Sequence, residues 1–145
     1  DLVRSRGLGD VYKRQPFDPV YHLAFVYGGI GKGENILARF HKPNLMNDIF
    51  QAPPAIGKAL KRFKAEGSGV IVYLRDGTAG VPAEPLERPA SSDAVRSQQW
   101  REVGVGAQIL RDLGVSSIRN LSSSSRSFPG LSGFGIEITG TETLE

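Results

Sequence analysis

Two polar side chains fall on one face of a short segment with strand character. Residues 35–41 read NILARFH, and their alternation places Arg39 and His41 together on one side of the strand. A guanidinium and an imidazole on one strand face could line a binding site. The alternative is a solvent-exposed strand edge, and the residues alone favour it.

The composition narrows the chemistry that these side chains could perform. The 145 residues include no cysteine and two histidines, His22 and His41. Disulfides, thiolate nucleophiles and thiolate metal ligands are therefore excluded, and little remains from which to build an imidazole-rich metal site. We predict no metal site.

The elements that must position the two side chains follow an α/β pattern. Apolar residues at helical spacing predict a helix over 56–63, ended by Gly67, and a second over 105–113, ended by Gly114. Strands are predicted at 20–27, 35–41, 70–74 and 117–121, with two β-α-β steps between them. The breakers in 76–90 predict a loop, FPGLSGFG a helical turn and IEIT a last strand, followed by a loose tail, TETLE.

The charge of +3 is concentrated at the start of the chain. Residues 1–15 hold four of the 18 basic and two of the 15 acidic residues, which leaves 14 against 13 in the remainder. A nearly neutral domain gives no electrostatic reason to bind nucleic acid. The last nine of these residues, GLGDVYKRQ, look like translated sequencing adapter, so we expect 1–15 to be non-native or a disordered tail and 16–145 to be the domain. No apolar run is long enough to span a membrane, and we expect a cytoplasmic protein.

Several segments in order carry a family resemblance. From Gly104 the chain reads GVGAQILRDLGVSSIRNL and later GLSGFGIEI, and upstream stand HLAFVYG, ILARFH, NDIF and AEGSGVIVYLR. Over residues 21–138 the sequence resembles GTP cyclohydrolase II, which opens the imidazole ring of GTP at the start of riboflavin synthesis. The resemblance implies an α/β fold, a single domain with a mixed sheet flanked by helices.

The resemblance also implies a zinc ion held by three cysteines, which activates water for attack on the purine ring. One cysteine follows the family's Arg-Val-His motif, and here Arg39-Phe40-His41 match that motif while Asn44 stands at the cysteine. The other two belong to an Arg-Cys-Asp-Cys loop, in whose place this chain has QAPPAIG. A neutral amide is a poor zinc ligand, so we expect no zinc and no other cofactor.

The other positions that the family uses are also altered. After Tyr-Leu-Arg, which ends here at Arg75, the family's Glu-Gly-Arg-Gly stretch is replaced by DGTAG. Gln99 stands at the family's proton acceptor, where an amide cannot accept a proton, and Arg101 stands at its nucleophile. The family's Thr-Asn-Asn-Pro stretch is replaced by serines that begin at Ser122, a run that could cradle an anion but is typical of a linker.

The resemblance therefore yields vestigial site candidates. Arg101 is the candidate catalytic residue, and the candidate substrate-binding residues are Arg39, His41, Arg75 and Ser122. We predict a riboflavin-biosynthesis domain without cyclohydrolase activity and with a structural role, the C-terminal part of a fusion behind a 3,4-dihydroxy-2-butanone 4-phosphate synthase domain. Its expected partners are that upstream domain and a second copy in a homodimer, while GTP binding is disfavoured. The alternatives are a working hydrolase with a rebuilt site and a GTP-binding regulatory module.

Overall fold

A computed structural model describes residues 10–12, 22–75, 92–123 and 130–144. In these ranges the strands are β1 (Asp10–Tyr12), β2 (His22–Gly28), β3 (Ile36–His41), β4 (Ser68–Tyr73), β5 (Ser117–Ser122) and β6 (Glu137–Thr143). The helices are α1 (Ala55–Glu66) and α2 (Ser92–Asp112), with a π-helical turn at Met46–Phe50 and a 3₁₀ turn at Leu131–Phe134.

The described strands form one mixed sheet in the order β1-β2-β4-β3-β5-β6. Strand β2 pairs antiparallel with β1 on one side and with β4 on the other. Strand β3 is parallel to both β4 and β5, and β6 is parallel to β5. The helix α1 connects the neighbouring parallel strands β3 and β4, as the predicted β-α-β step requires. The predicted α/β domain with a mixed sheet flanked by helices is confirmed.

Each face of the sheet is covered by one helix. On one face α1 packs through Phe63 and Ala59 against Leu37, Ile71 and Leu121. On the other face α2 packs through residues such as Ala107, Ile109 and Leu110, and the strand residues there alternate with the first set along the same strands.

The predicted ends of α1 are accurate, because its signals are local. Pro54 precedes the helix in extended conformation, and Gly67 ends it in the left-handed conformation with its N–H donating to the carbonyl of Phe63. The strand that follows begins at Ser68, directly after this cap.

The structure corrects the sequence analysis at two elements. The second helix begins at Ser92, well before its predicted apolar stripe. Residues 141–144 of the tail are not loose, because Thr141–Thr143 continue β6 beside β5 and Leu144 is buried at 8% exposure. The predicted loop at 76–90 lies outside the described residues.

The strand β1 lies within residues 1–15, which the sequence analysis excluded from the domain. Its residues Asp10–Tyr12 pair with His22–Ala24 of β2 at the end of the sheet. The origin of residues 1–15 stays a prediction. None of the helices in the described ranges combines the length and apolar character needed to cross a bilayer.

The starts of β3 and β5 are tied together by their preceding turns. The carbonyl of Gly33 accepts hydrogen bonds from the backbone N–H groups of Ser116 at 2.7 Å and Ser117 at 3.3 Å. The hydroxyl of Ser117 accepts a further bond from the N–H of Asn35 at 2.7 Å. Because β3, β4 and β5 are parallel, their carboxyl ends meet at the opposite edge, where ligand sites of open α/β sheets commonly lie.

Candidate functional site

Arg39 lies near the carboxyl end of β3, on the face of the sheet that α1 covers. Its side chain is 7% exposed. The guanidinium donates from Nη1 to the carbonyl of Leu121 at 3.3 Å and from Nη2 to the hydroxyl of Ser123 at 2.9 Å. The exposed-edge interpretation of Arg39 is wrong, because the end of β5 closes over it.

The burial of Arg39 leaves part of its hydrogen-bonding capacity unused. Its Nε is buried and has no hydrogen-bond partner in the described part of the chain. Desolvation lowers the pKa of the guanidinium, an effect that the charge of Asp48 partly offsets. An unpaired buried donor is costly. Its two terminal nitrogens donate within the protein, so the guanidinium is held in place at the end of β5.

His41 ends the same strand and is also buried, at 5% exposure, so the exposed-edge interpretation is wrong for this residue too. Its Nε2 lies 2.9 Å from Oδ1 of Asp48, and its ring stacks on that of Tyr73 with centroids 5.5 Å apart. Because a carboxylate accepts, the neutral ring carries its proton on Nε2. Its Nδ1 is buried and has no hydrogen-bond partner within the ranges that the structure describes.

Burial favours the neutral form of the His41 side chain. Burial lowers its pKa as the largest effect, the hydrogen bond and charge of Asp48 raise it, and the charge of Arg39 lowers it further. The net direction is downward. A neutral imidazole next to a guanidinium is the electrostatic outcome expected from this placement.

A compact turn follows β3 and supplies Asp48. Asn44 stabilises the start of this turn, because its Oδ1 accepts from the N–H of Asn47 at 3.1 Å. In return, Oδ2 of Asp48 accepts from the N–H of Asn44 at 2.9 Å, a reciprocal arrangement similar to a capping box. The position matched to a zinc-binding cysteine is therefore occupied by a residue that shapes the backbone.

The remaining candidates are distributed unevenly around this edge. Arg75 follows β4, its backbone N–H donates to Nδ1 of His22 at 3.1 Å, and its side chain is exposed. Ser122 ends β5. Arg39, His41, Arg75 and Ser122 thus share the carboxyl edge of the parallel strands.

Arg101 belongs to a different element from these four residues. It is an exposed residue of α2, the helix that covers the other face of the sheet. The link between α2 and the segment after β3 is made instead by Glu102, whose carboxylate lies 2.7 Å from Nζ of Lys42.

Arg39, His41, Asp48 and Tyr73 form a side-chain cluster at this edge, and the sequence analysis missed the last two of them. Asp48 belongs to NDIF, a segment that carried the resemblance without a role for its carboxylate. Tyr73 was placed in a buried strand, and its register opposite His41 appears only once β3 and β4 are paired. An asparagine four residues before Asp48 is the one local signal that this carboxylate caps a turn.

The cluster does not have the composition of a metal centre. Within the described ranges, no three or more side chains of His, Cys, Asp or Glu are grouped so that they could hold an ion. Both carboxylate oxygens of Asp48 and the amide oxygen of Asn44 already accept hydrogen bonds. The residues present do not fit the tetrahedral zinc of the family, which needs at least three protein ligands.

We expect stability to depend on pH through His41. Its lowered pKa means that the unfolded chain binds this proton at a higher pH than the folded chain does. The contribution of His41 to the free energy of unfolding is therefore fully present above the ordinary histidine pKa of about 6.5. It is lost as the pH falls from there toward the lowered pKa of the folded state. Urea unfolding between about pH 5.5 and 7.5 measures this slope, in a window chosen above the ordinary carboxylate range.

His41→Gln supplies the control, since glutamine keeps a side-chain donor but does not titrate. The variant should show a flatter dependence of unfolding free energy on pH across the same window. A wild-type protein that becomes more stable on acidification, or a variant with the same slope, contradicts the assignment.

Comparisons with known proteins agree with the fold and the resemblance. The family model of GTP cyclohydrolase II matches residues 10–143. The chain is similar to the monofunctional riboflavin biosynthesis protein RIBA 2, chloroplastic, of Arabidopsis thaliana, with 35% identity over 137 residues, which cover 88% of this chain and 29% of that protein.

Two further relatives are similar to the same extent. The riboflavin biosynthesis protein RibBA of Bacillus mycoides (strain KBAB4) is 33% identical, over 81% of this chain and 34% of the relative. The bifunctional riboflavin biosynthesis protein RIBA 1, chloroplastic, of Arabidopsis thaliana is 33% identical, over 90% of this chain and 27% of the relative. The chain spans about a third of the length of these curated relatives.

Proposed function

The chain belongs to the GTP cyclohydrolase II family, and from this premise we propose that it is a riboflavin-biosynthesis domain that has lost the opening of the GTP imidazole ring. The family assignment rests on a match that covers residues 10–143. The proposed loss concerns the reaction, while the fold is kept. The domain then acts structurally in a longer protein.

The observation that carries this proposal is the chemistry at Asn44. The chain has no cysteine, so no thiolate can stand at any of the three zinc-ligand positions that the resemblance implies. The amide oxygen of Asn44 accepts a hydrogen bond from Asn47 and so serves the turn. Without ligands of adequate charge and number, zinc is not held and its activation of water is lost.

The acid–base positions support the same conclusion. Gln99 stands at the family's proton acceptor, and an amide has no basic site at neutral pH. Arg101 is exposed on α2, a helix that packs on the opposite face of the sheet from the one that carries Arg39 and His41. The altered DGTAG stretch lies outside the described residues.

The role in a longer polypeptide is supported by length. The relatives are about three times as long as the part that this chain matches, and one of them is named as bifunctional. We propose that the domain follows a 3,4-dihydroxy-2-butanone 4-phosphate synthase domain and forms homodimers. A cytoplasmic location and the absence of any cofactor are further parts of this proposal.

The test combines metal analysis with a turnover assay on the purified chain. We expect zinc far below one ion per chain and no formate release from GTP, with the RibBA protein of Bacillus mycoides assayed alongside. Stoichiometric zinc together with formate release would overturn the proposal. Formate release that persists with a chelator would instead support a working hydrolase with a rebuilt, metal-free site.

A GTP-binding module without turnover is the second candidate, and one observation favours it. The guanidinium of Arg39 donates from Nη2 to the hydroxyl of Ser123, and its Nε has no hydrogen-bond partner among the described residues. The test is to add GTP to the same preparation and measure the melting temperature. A rise in melting temperature without formate release would indicate this function, since a ligand that binds the folded state stabilises it. The shift should then disappear in Arg39→Met.

A further inference from the structure

The segment between β3 and α1 is ordered by hydrogen bonds at the place where the family has its zinc. We propose that Asp48 acts here as a latch, which joins the end of β3 to the turn that follows and holds that turn without a metal ion. This inference rests on the proposed loss of zinc and is independent of whether GTP is turned over.

The latch has a rigid side, formed by His41. This residue is buried in β3, and its carbonyl accepts the N–H of Leu74 at 2.9 Å, which fixes its backbone to the end of β4. Its ring is stacked on Tyr73. Oδ1 of Asp48 lies 2.9 Å from Nε2 of this fixed ring.

The other side of the latch is the start of the turn. Oδ2 of Asp48 accepts from the N–H of Asn44 at 2.9 Å, and the N–H of Asp48 donates to the carbonyl of Asn44 at 2.8 Å. The amide oxygen of Asn44 accepts from the N–H of Asn47. One carboxylate therefore connects two backbone segments, with charge-assisted hydrogen bonds of the stronger kind.

The burial of Asp48 shows that this arrangement is part of the folded structure. Its side chain is 15% exposed, although it lies in a turn whose neighbours Met46 and Ile49 are largely exposed. A carboxylate is withdrawn from water in this way when its acceptor sites are used. Two independent partners use them here.

The latch predicts that the order of residues 44–48 does not depend on any metal. Amide hydrogen exchange of the whole chain measures this directly at Asn44 and Asn47, whose N–H groups donate within the latch. In the wild-type chain we expect the same exchange rates with a chelator and with one equivalent of zinc.

The variant Asp48→Ala removes the latch and should raise exchange at Asn44 by about tenfold or more, since its N–H loses its acceptor. Asp112→Ala is the matched control, because Asp112 is exposed at the end of α2, and it should leave both amides unchanged. Protection of the β2–β4 amides checks that each variant is folded. Should Asp48→Ala fail to fold, Asp48→Asn, which keeps one acceptor, should show a smaller increase at the same amide.

Two results would overturn the latch. One is faster exchange at Asn44 in the wild-type chain when a chelator is added, because a metal would then hold the turn. The other is unchanged exchange at Asn44 in folded Asp48→Ala or Asp48→Asn. Formate release from GTP, by contrast, would contradict the proposed function and leave a chelator-insensitive latch intact.

Discussion

Replacing Gly33 by alanine is expected to lower the free energy of unfolding by about 3–5 kcal/mol. Gly33 has a φ of 75°, in the left-handed region, and a Cβ there would run into the backbone carbonyl of Gly114. The obstacle is main chain, so no rotamer change relieves it. Either the turn before β3 or the turn before β5 must move.

The movement should reach the candidate site. The carbonyl of Gly33 holds the N–H of Ser116, and this contact sets the pairing of β3 with β5 from Ile36 and Ile118 onward. At the far end of the same strand pair, Arg39 donates to the carbonyl of Leu121. A shift at the start of the pair therefore weakens the contact that holds the guanidinium.

Gly31→Ala separates the clash from the backbone strain. Gly31 also has a positive φ, of 58°, but a Cβ there meets nothing within 4 Å. This variant should cost about 1–2 kcal/mol, the usual penalty for a side chain in the left-handed region. Urea unfolding followed by far-ultraviolet circular dichroism compares the two, and equal losses would contradict the role given to the Gly114 carbonyl.

The parts of the fold that could be predicted are those with local signals. The stripe from Ile56 to Phe63 and the glycine after it define α1 without help from the rest of the chain. The early start of α2 was missed because the apolar stripe that predicts the helix covers only residues 105–113, and Gly104 and Gly106 add no helical signal. In the structure they are places where the rings of Phe134 and Phe40 pack closely on the helix, so tertiary contact favours a small residue there.

The tail and the strand order depend on distant pairing. TETLE is largely polar and has no pattern typical of a helix or a buried strand. In the structure, however, Thr141–Thr143 pair with β5, and Leu144 packs in the apolar cluster under α1. Likewise, the insertion of β3 between β4 and β5 is set by contacts far apart in the chain. Such non-local choices leave little trace in any one segment.

The candidate site was half predictable for the same reason. Alternation alone placed Arg39 and His41 on one face, and that placement is confirmed by Leu37, which packs under α1 on the same side. Their burial was not predictable, because it comes from Leu121, Ser123 and Asp48, which belong to other segments. A charged residue in a strand pattern indicates exposure until its neighbours are known.

Replacing Asn120 by leucine is expected to raise the free energy of unfolding by about 1–3 kcal/mol. Asn120 is 1% exposed in β5, and neither its Oδ1 nor its Nδ2 has a hydrogen-bond partner among the residues that the structure describes. Its register places it beside Ala38 of β3, in the strand pair that α2 covers. The folded state therefore carries the desolvation of a whole amide without compensation.

Leucine has the same number and branching of side-chain heavy atoms as asparagine, so it removes the unpaired amide with little change of shape, and it adds apolar contact with the α2 side of the core. Gln108→Leu is the matched control, since Gln108 is an exposed amide on α2 and its replacement should change stability by less than about 0.5 kcal/mol. Urea unfolding measures the free energy of unfolding of both variants against the wild-type chain, and only Asn120→Leu should show a gain. A loss of stability in Asn120→Leu would mean that the amide is paired in solution, and the buried polar atoms of β5 would then be part of the hydrogen-bonded core.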